Sequence, residues 1–432
     1  MHLSRRAYCL VFLAAVLAVA ALWSGEGAVL RGLWRAPLAL LCLGLALEAS
    51  YVRGVQPRVR LLSAPRAFLG RPQAAQLLVE NPSRRPLLLE YAPLLPAGFE
   101  PLTALRRVTA PAGGTVRDPL TLSPVRLGPQ QWPPLPARLL GPLRLAWWTR
   151  SLDPAARILI APDTLATPAG TRGFGGGSRP RRLAGAGSEL HQLRDYVRGD
   201  PPSRIDWKAT ARAARLVTRE FSEDQHLDVL VAIDAGRFSR VRAGTLDRFG
   251  LYANLAARFA ELATHNDDRI GLVVYADRVL AACAPARGLA GVTRVRRALQ
   301  ELSVQAAESD PTAAAVRIRA LLQHRSLVVL LTDLDDATVA GQLTRAVRLL
   351  SPPHLTVVAG IRNTEIETLV RQEARSWDGP WVALAAAEHE ARVRSQRALL
   401  ERLGVPVVAA EASRLEAAVL GEYETLRRTR RV

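Results

Sequence analysis

Two long apolar runs at the start of the chain constrain its fold more than any other feature. Residues 7–23, AYCLVFLAAVLAVAALW, carry no charge, and a second run extends from about position 28 to position 49. A membrane-spanning helix needs about 20 apolar residues, and both runs approach that length. We therefore expect residues 1–54 to form a hairpin of two transmembrane helices that turns within the polar sequence SGEG.

A cleaved signal peptide that ends near Ser24 is the competing interpretation of the first run. No A-x-A-type cleavage site precedes the polar break, and the second run, LALLCLGLALEA, would have no role in a secreted domain. Basic residues flank the outer ends of the runs at positions 5, 6, 53, 58 and 60, while the connecting loop carries Arg31 and Arg35. Because basic flanks stay in the cytoplasm, we expect a two-span protein of the inner (cytoplasmic) membrane with its soluble domains facing the cytoplasm.

The chain is strongly basic, with a formal net charge of +19. Such a charge can attract nucleic acid, an anionic membrane surface or an acidic protein. The basic residues are dispersed, and aromatic residues, which stack on single strands, make up only 5% of the chain. We therefore expect the lipid bilayer and no nucleic acid as a partner. Binding that falls steeply with added salt would favour the nucleic-acid alternative.

Residues 55–165 contain short apolar runs such as QLLVEN, PLLLEY and RILIAP, separated by proline, glycine and asparagine. This punctuation predicts a small β-sandwich-like module. The composition of residues 166–187, ATPAGTRGFGGGSRPRRLAGAG, is typical of a linker. Its GFGGGS sequence is no phosphate-binding P-loop, because that motif needs a lysine and the single lysine, Lys208, lies elsewhere.

From residue 226 to 432, apolar runs alternate with helical patterns. The runs include HLDVLVAIDAG, DRIGLVVYADRVLAAC, SLVVLLTDLDD and LTVVAGI, and the second of them turns at Asp277 into an antiparallel partner. Nearly continuous Val, Ile and Leu between helices predict a doubly wound α/β domain with a mostly parallel, buried sheet. Ligands of such sheets bind beyond the carboxyl ends of the strands.

Two predicted strands end in aspartate, Asp234 and Asp333, and SDPTAAA between them places Thr312 at a helix start. This order resembles the von Willebrand factor type A domain, whose metal-ion-dependent adhesion site uses D-x-S-x-S, a distant threonine and a later aspartate. The resemblance implies that Asp234, Thr312 and Asp333 are metal ligands. Gly236 and Phe238 stand where the family has its two serines.

The missing hydroxyls weaken the predicted metal site. Mg²⁺ takes octahedral oxygen ligands, and two carboxylates, one threonine and waters remain for it. The alternative is that Asp234 and Asp333 cap helices and accept hydrogen bonds from loop amides. A metal site needs its ligand count as well as its shape. We therefore favour the structural interpretation, with no cofactor, and Mg²⁺ at a degenerate site as the alternative.

A densely charged segment, residues 188–225, precedes this domain. Its sequence LRDYVRGDPPSRIDWKATAR holds four arginines, three aspartates and one tryptophan. The pattern LR-x-Y, a GD turn, R-x-IDW and A-x-AR resembles the signature of the domain of unknown function 58 family. The signature residues, which are also the candidates for docking a partner, are Arg194, Tyr196, Gly199, Asp200, Arg204, Asp206, Trp207 and Arg212.

Local chemistry also predicts how this segment folds. We expect Ser203 and Asp206 to start a short helix in the manner of a capping box, and Gly199 to form a tight turn. We expect Trp207 to anchor that helix against a sheet edge. Arginines 194, 204 and 212 are placed to pair with aspartates 195, 200 or 206.

Two roles are open for this segment. The favoured one is structural, in which the ion pairs lock the linker and the β-rich module onto the α/β core. The alternative is a docking surface with Arg194 and Arg212 as contact residues.

The sequence lacks a recognisable catalytic constellation. HExxH, GxSxG and SxxK motifs are absent, and the carboxylate pair at positions 335 and 336 lies in a polar turn. We therefore expect a membrane-anchored protein-interaction scaffold rather than an enzyme. The family resemblance implies a MoxR-type AAA+ ATPase as partner, in assembly or maturation of membrane or envelope complexes. The alternative is a metal-dependent adhesion receptor of the type A class, which would face outward.

A topology map separates these two alternatives. We predict that a reporter active only in the cytoplasm is active when fused after Arg53, because the basic flanks hold both outer ends inside. The same reporter placed within SGEG is expected to be inactive and serves as the control. Activity only at the SGEG position would contradict the cytoplasmic orientation.

Overall fold

The computed structural model describes residues 1–23, 32–164, 184–185, 189–222, 226–334, 339–371 and 376–429. The chain divides into two compact units, Met1–Asp163 with Leu299–Ser303, and Thr164–Ala298 with Val304–Val432. The predicted linker over 166–187 lies outside the described residues, except for the two-residue strand Ala184–Gly185, and so does the predicted turn in SGEG.

Two apolar helices open the first unit, α1 (Arg5–Trp23) and α2 (Arg35–Gly54). By length and composition, each could cross a membrane. Large apolar side chains lie exposed along α1, including Phe12 at 72% and Leu22 at 82%. Exposed apolar faces of this size on helices about 20 residues long are typical of contact with lipid chains.

Short strands build the rest of the first unit, and their side chains alternate between buried and exposed. The strands are β1 (His2–Leu3), β2 (Arg58–Leu62), β3 (Arg66–Phe68), β4 (Gln73–Glu80), β5 (Leu87–Tyr91), β6 (Arg106–Ala110), β7 (Thr115–Leu122), β8 (Gly128–Gln131), β9 (Leu135–Leu140), β10 (Ala146–Leu152) and β11 (Arg157–Ala161). Among the described residues they form the sheets β1-β10-β9-β5-β6, β3-β11-β8 and β2-β4-β7, whose pairs are antiparallel except for β3 with β11. The predicted β-rich module is confirmed.

The turn between β9 and β10 holds the two apolar helices. Leu3 pairs with Ala146 in the register of β1 and β10, and the Ser4 N–H donates to the Leu145 carbonyl at 2.8 Å. On α2, the buried Glu48 carboxylate accepts from the Leu145 and Ala146 N–H groups, each at 3.0 Å. The start of α1 and the last turns of α2 therefore meet the same turn, so the two outer ends of the helical hairpin lie together.

The second unit holds a mostly parallel sheet with the strand order β19-β18-β15-β20-β21-β22 among the described residues. Before it come β12 (Ala184–Gly185), β13 (Glu189–Asp195), α3 (Trp207–Ala213) and β14 (Val217–Ser222). The sheet and its helices are β15 (Asp228–Asp234), β16 (Arg242–Ala243), β17 (Leu246–Asp247), α4 (Arg248–His265), β18 (Arg269–Tyr275), β19 (Val279–Arg287), α5 (Gly288–Gln300), α6 (Pro311–Leu321), β20 (Leu327–Leu331), α7 (Ala340–Leu350), β21 (Leu355–Ile361), α8 (Thr364–Arg371), α9 (Gly379–Arg402), β22 (Val407–Ala410) and α10 (Leu415–Arg428).

The central strand β15 is buried on both faces, because successive side chains point to opposite sides of a strand. Leu230 and Ala232 share a core cluster with residues of α6, α7 and α9. The intervening Val231 and Ile233 are also buried, at 1% and 0% exposure. This burial accounts for the nearly uninterrupted apolar sequence of the strand.

The predicted doubly wound α/β domain is confirmed, including the antiparallel edge strand β19 after the turn at Asp277. Its longest described helix is α9, over Gly379–Arg402.

We predict that Glu48→Ala lowers the free energy of unfolding by about 1–3 kcal/mol, because two buried N–H groups lose their acceptor. Equilibrium unfolding of the detergent-solubilised chain measures this change. Glu80→Ala is the matched control, since Glu80 forms a more exposed pair with Arg60 at 3.7 Å and should cost less than about 1 kcal/mol. Equal losses in the two variants would show that Glu48 does not fasten the helix to the turn.

Candidate functional site

The carboxyl edge of the parallel sheet gathers a buried polar cluster. Asp234 ends β15, and Asp333 follows the adjacent strand β20, whose Leu331 pairs in register with Ile233. The two aspartates are only 4% and 3% exposed. The structure therefore brings these two predicted ligands to one edge, as the strand order requires.

Hydrogen-bond donors surround the carboxylate of Asp234. Its Oδ1 accepts from the Gly236 N–H at 2.9 Å and from the Ser309 hydroxyl, and its Oδ2 accepts from Thr332 Oγ1 at 2.9 Å. The Ser239 hydroxyl donates to the Asp234 carbonyl at 2.7 Å. Both carboxylate oxygens are thus engaged by the protein itself.

Gly236 explains how Ser309 reaches this carboxylate. A Cβ at position 236 would overlap the Ser309 hydroxyl and lie 3.1 Å from the Ala307 carbonyl. The φ of Gly236 is −75°, so space rather than backbone conformation excludes a side chain. Ser309 therefore occupies the volume that a serine at position 236 would fill.

A buried arginine neutralises the second carboxylate. Arg248, the first residue of α4, forms an ion pair with Asp333, and the two side chains are 4% and 3% exposed. One turn later, the Tyr252 hydroxyl donates to the Thr332 carbonyl at 3.1 Å. Burial and then the charge of Asp333 raise the pKa of Tyr252 well above its ordinary value, with Arg248 opposing. Tyr252 is thus neutral and close to both charged side chains.

This arrangement does not fit a divalent cation. A divalent cation would have to displace the Arg248 guanidinium from Asp333 and compete with the donors of Gly236, Ser309 and Thr332 for Asp234. Thr312 lies in the first turn of α6, where its N–H donates to Asp310 at 2.9 Å. Within the described ranges, its hydroxyl bonds neither aspartate, and no group of three or more His, Cys, Asp or Glu side chains could hold a metal.

The charged segment over 188–225, described for 189–222, folds as a hairpin with an insertion. Strands β13 and β14 pair with Leu193 opposite Arg219 and Asp195 opposite Val217. Gly199 has a φ of +115°, a conformation that favours glycine, and so forms the tight turn that the sequence predicts. A 3₁₀ turn at Pro202–Arg204 and α3 complete the insertion.

Two aspartates organise this insertion. Asp200 accepts from Arg194 at 2.7 Å and from the Val197 N–H at 3.0 Å, and the arginine bond is the main cause of its lowered pKa. Asp206 accepts from the Ala209 N–H at 3.0 Å and from Arg219 at 3.0 Å, which lower its pKa in that order. Both carboxylates therefore stay charged at neutral pH and hold the turn and the helix in place.

Parts of the predicted local structure are wrong. The helix cap is Asp206, while Ser203 lies in the preceding 3₁₀ turn. Trp207 is 65% exposed and does not anchor the helix against a sheet edge, because it stands at the open first position of α3. Arg212 is exposed, and the partner of Asp195 is Arg215, at 3.0 Å. The Tyr196 N–H, by contrast, donates to the carbonyl of Leu216, the residue directly before β14, at 3.0 Å.

The family model described as "Protein of unknown function DUF58" matches residues 192–373. The matched residues are similar to this family, and we call them the DUF58 segment. The resemblance of the charged signature to this family is thereby confirmed, and the match extends from β13 through the polar cluster at the carboxyl edge.

Several solved structures are similar to parts of the chain. The conserved hypothetical protein BatB from Bacteroides thetaiotaomicron is 12% identical, with 47% of this chain and 99% of that chain covered and a TM-score of 0.33. Proximal thread matrix protein 1 from the mussel byssus, with a zinc-occupied MIDAS motif, is 14% identical, with 32% and 36% covered and a TM-score of 0.25. No curated protein matches the chain.

The roles of three polar residues of the DUF58 segment could not be predicted from the sequence. Ser309 stands within the SDPTAAA run, but its role depends on the missing side chain at position 236. Thr332 precedes Asp333 directly and bonds the other aspartate. Arg248 gives no local signal, because its partner lies on a distant strand.

We predict that the effects of Gly236→Ala and Ser309→Ala on the melting temperature are not additive. Gly236→Ala alone should lower the melting temperature, since the new methyl group overlaps the Ser309 hydroxyl, and it should cost less in a Ser309→Ala background. Gly341→Ala is the control, because no atom lies within 4 Å of its Cβ position on α7, and it should be neutral or stabilising. Additive losses would show that positions 236 and 309 do not compete for one volume.

Proposed function

We propose that this protein is a membrane-anchored, non-enzymatic scaffold whose cytoplasmic α/β unit binds another protein through the charged hairpin β13–β14. The observation that supports the proposal is how the acidic side chains of this hairpin differ from its other large side chains. Its aspartates are engaged by internal donors, while its large apolar and basic side chains remain exposed.

The exposed apolar side chains lie within one short segment. They are Leu193 at 47%, Val197 at 60%, Trp207 at 65% and Leu216 at 43% exposure. Local bonds hold them in defined positions, since Asp200 binds the Val197 N–H and the Tyr196 N–H binds the Leu216 carbonyl. Aromatic and apolar side chains on a rigid support are typical anchors of protein interfaces.

The charge around these anchors indicates the chemistry of the partner. Exposed basic side chains lie in the same segment, at Arg198, Lys208, Arg212 and Arg215. A partner with an acidic surface and an apolar pocket would complement them. Together with the family resemblance, this chemistry leads us to propose a MoxR-type AAA+ ATPase as the partner, in assembly or maturation of membrane or envelope complexes.

The placement of the anchor supports a scaffold on one side of the membrane. The start of α1 and the end of α2 meet the same turn between β9 and β10. A hairpin of this kind puts the residues before α1 and after α2 on one side, and the basic flanks favour the cytoplasm. The outward-facing metal receptor has less support, since Arg248 already pairs with Asp333.

We predict that affinity capture of the detergent-solubilised chain recovers the AAA+ ATPase in the presence of a hydrolysis-resistant ATP analogue. Trp207→Ala should reduce the recovery about tenfold or more, as expected for an interface anchor. Trp381→Ala is the matched control, because Trp381 on α9 is exposed to a similar degree, 68%, outside the hairpin.

Three outcomes would count against the proposal. They are equal losses in the two tryptophan variants, no ATPase recovered with the analogue, and turnover of a substrate by the purified chain. An unchanged melting temperature for Trp207→Ala separates lost binding from lost folding.

A further inference from the structure

We infer that the guanidinium of Arg248 serves as a built-in cation at the carboxyl edge of the sheet, in the place that a divalent metal ion takes in metal-dependent type A domains. The starting observation is the residue with which Arg248 pairs. Arg248 pairs with Asp333, the residue that the order of strands equates with a metal ligand, and both side chains are almost fully buried.

The electrostatics of the edge require a cation. Asp234 and Asp333 follow adjacent strands, and two carboxylates removed from water at one edge repel each other. Hydroxyl and amide donors stabilise Asp234, whereas Asp333 has the positive charge of Arg248. An arginine stays charged at every physiological pH and cannot be exchanged or chelated as an ion can.

The backbone around Arg248 holds its side chain in position. Its N–H donates to the Val241 carbonyl at 3.0 Å, closing the small β16–β17 ribbon. The preceding residue, Asp247, caps α4 by accepting from the Gly250 N–H at 2.7 Å. One turn further, the Tyr252 hydroxyl donates to the carbonyl of Thr332, directly after β20, and accepts from the Ile361 N–H at the end of β21, so α4 is fixed to the ends of two strands. The guanidinium is therefore part of a rigid support.

The carboxyl edge beside the guanidinium carries oxygen atoms of the kind that hard cations bind. The Asp333 carboxylate pairs with the guanidinium directly. Asp234 ends the adjacent strand, and its carboxylate accepts from the Ser309 and Thr332 hydroxyls. It follows that the wild-type edge is complete without metal. It also follows that loss of the guanidinium alone should expose a set of oxygens able to take Mn²⁺ or Mg²⁺.

The test uses the full chain in detergent and Mn²⁺ as the probe, with free Mn²⁺ measured by electron paramagnetic resonance. The wild type should leave the Mn²⁺ signal unchanged, and its melting temperature should be the same in Mn²⁺, Mg²⁺ or EDTA. Arg248→Ala should melt at a lower temperature, bind about one Mn²⁺ per chain and regain part of the lost stability when Mn²⁺ is added. The double variant Arg248→Ala with Asp333→Ala should lose the Mn²⁺ binding.

Arg258→Ala is the matched control. Arg258 lies on the same helix and forms a partly buried pair with Glu416, 2.5 Å apart, away from the two aspartates. Its loss should destabilise the chain without creating Mn²⁺ binding.

Two results would overturn the inference. One is Mn²⁺ binding by the wild type that disappears in Asp333→Asn, and the other is a folded Arg248→Ala chain that binds no Mn²⁺. If Arg248→Ala does not fold, Arg248→Lys takes its place. A lysine keeps a positive charge, so this variant should fold without Mn²⁺ binding, and Mn²⁺ binding by it would contradict the inference.

Discussion

The buried pair between Arg248 and Asp333 is the contact on which the carboxyl edge of the sheet depends. A carboxylate taken out of water is strongly unfavourable unless an opposite charge or several donors accompany it. The edge uses both solutions, a guanidinium for Asp333 and hydroxyl and amide donors for Asp234. Strand order alone brings the two carboxylates together, so other groups of the chain must offset the unfavourable free energy of burying each of them.

Hydrogen bonds and ion pairs to carboxylates also determine the local structure of the charged hairpin. Asp200 and Asp206 accept bonds from arginine side chains and from the backbone, and these bonds shape the turn and the short helix. Once the acidic groups are engaged internally, the exterior is left with basic and apolar side chains, Trp207 foremost among them. A rigid internal network with exposed apolar and basic side chains is what the proposed docking role requires.

The elements whose signals are local could be predicted from the sequence. The apolar runs of α1 and β15 and the GD turn at Gly199 each depend on neighbours in the chain, and the structure has them where the sequence indicates. The role of Arg248 could not be predicted in this way, because a buried ion pair between α4 and the end of β20 exists only after the sheet has formed. The exposure of Trp207 could not be predicted for a related reason, since the size of a side chain does not determine which face of a short helix is covered. Ser309 was within a recognised motif, yet its role depends on the volume left by Gly236.

The pairing of β1 with β10 has a consequence for the order of assembly. Two residues at the very beginning of the first unit cover the edge of a strand that the ribosome makes much later. Until β10 is made, α1 and α2 have no sheet to hold their outer ends. The apolar helical hairpin is thus made first, and its outer ends are fastened to the β-rich module only when the β9–β10 turn has been translated.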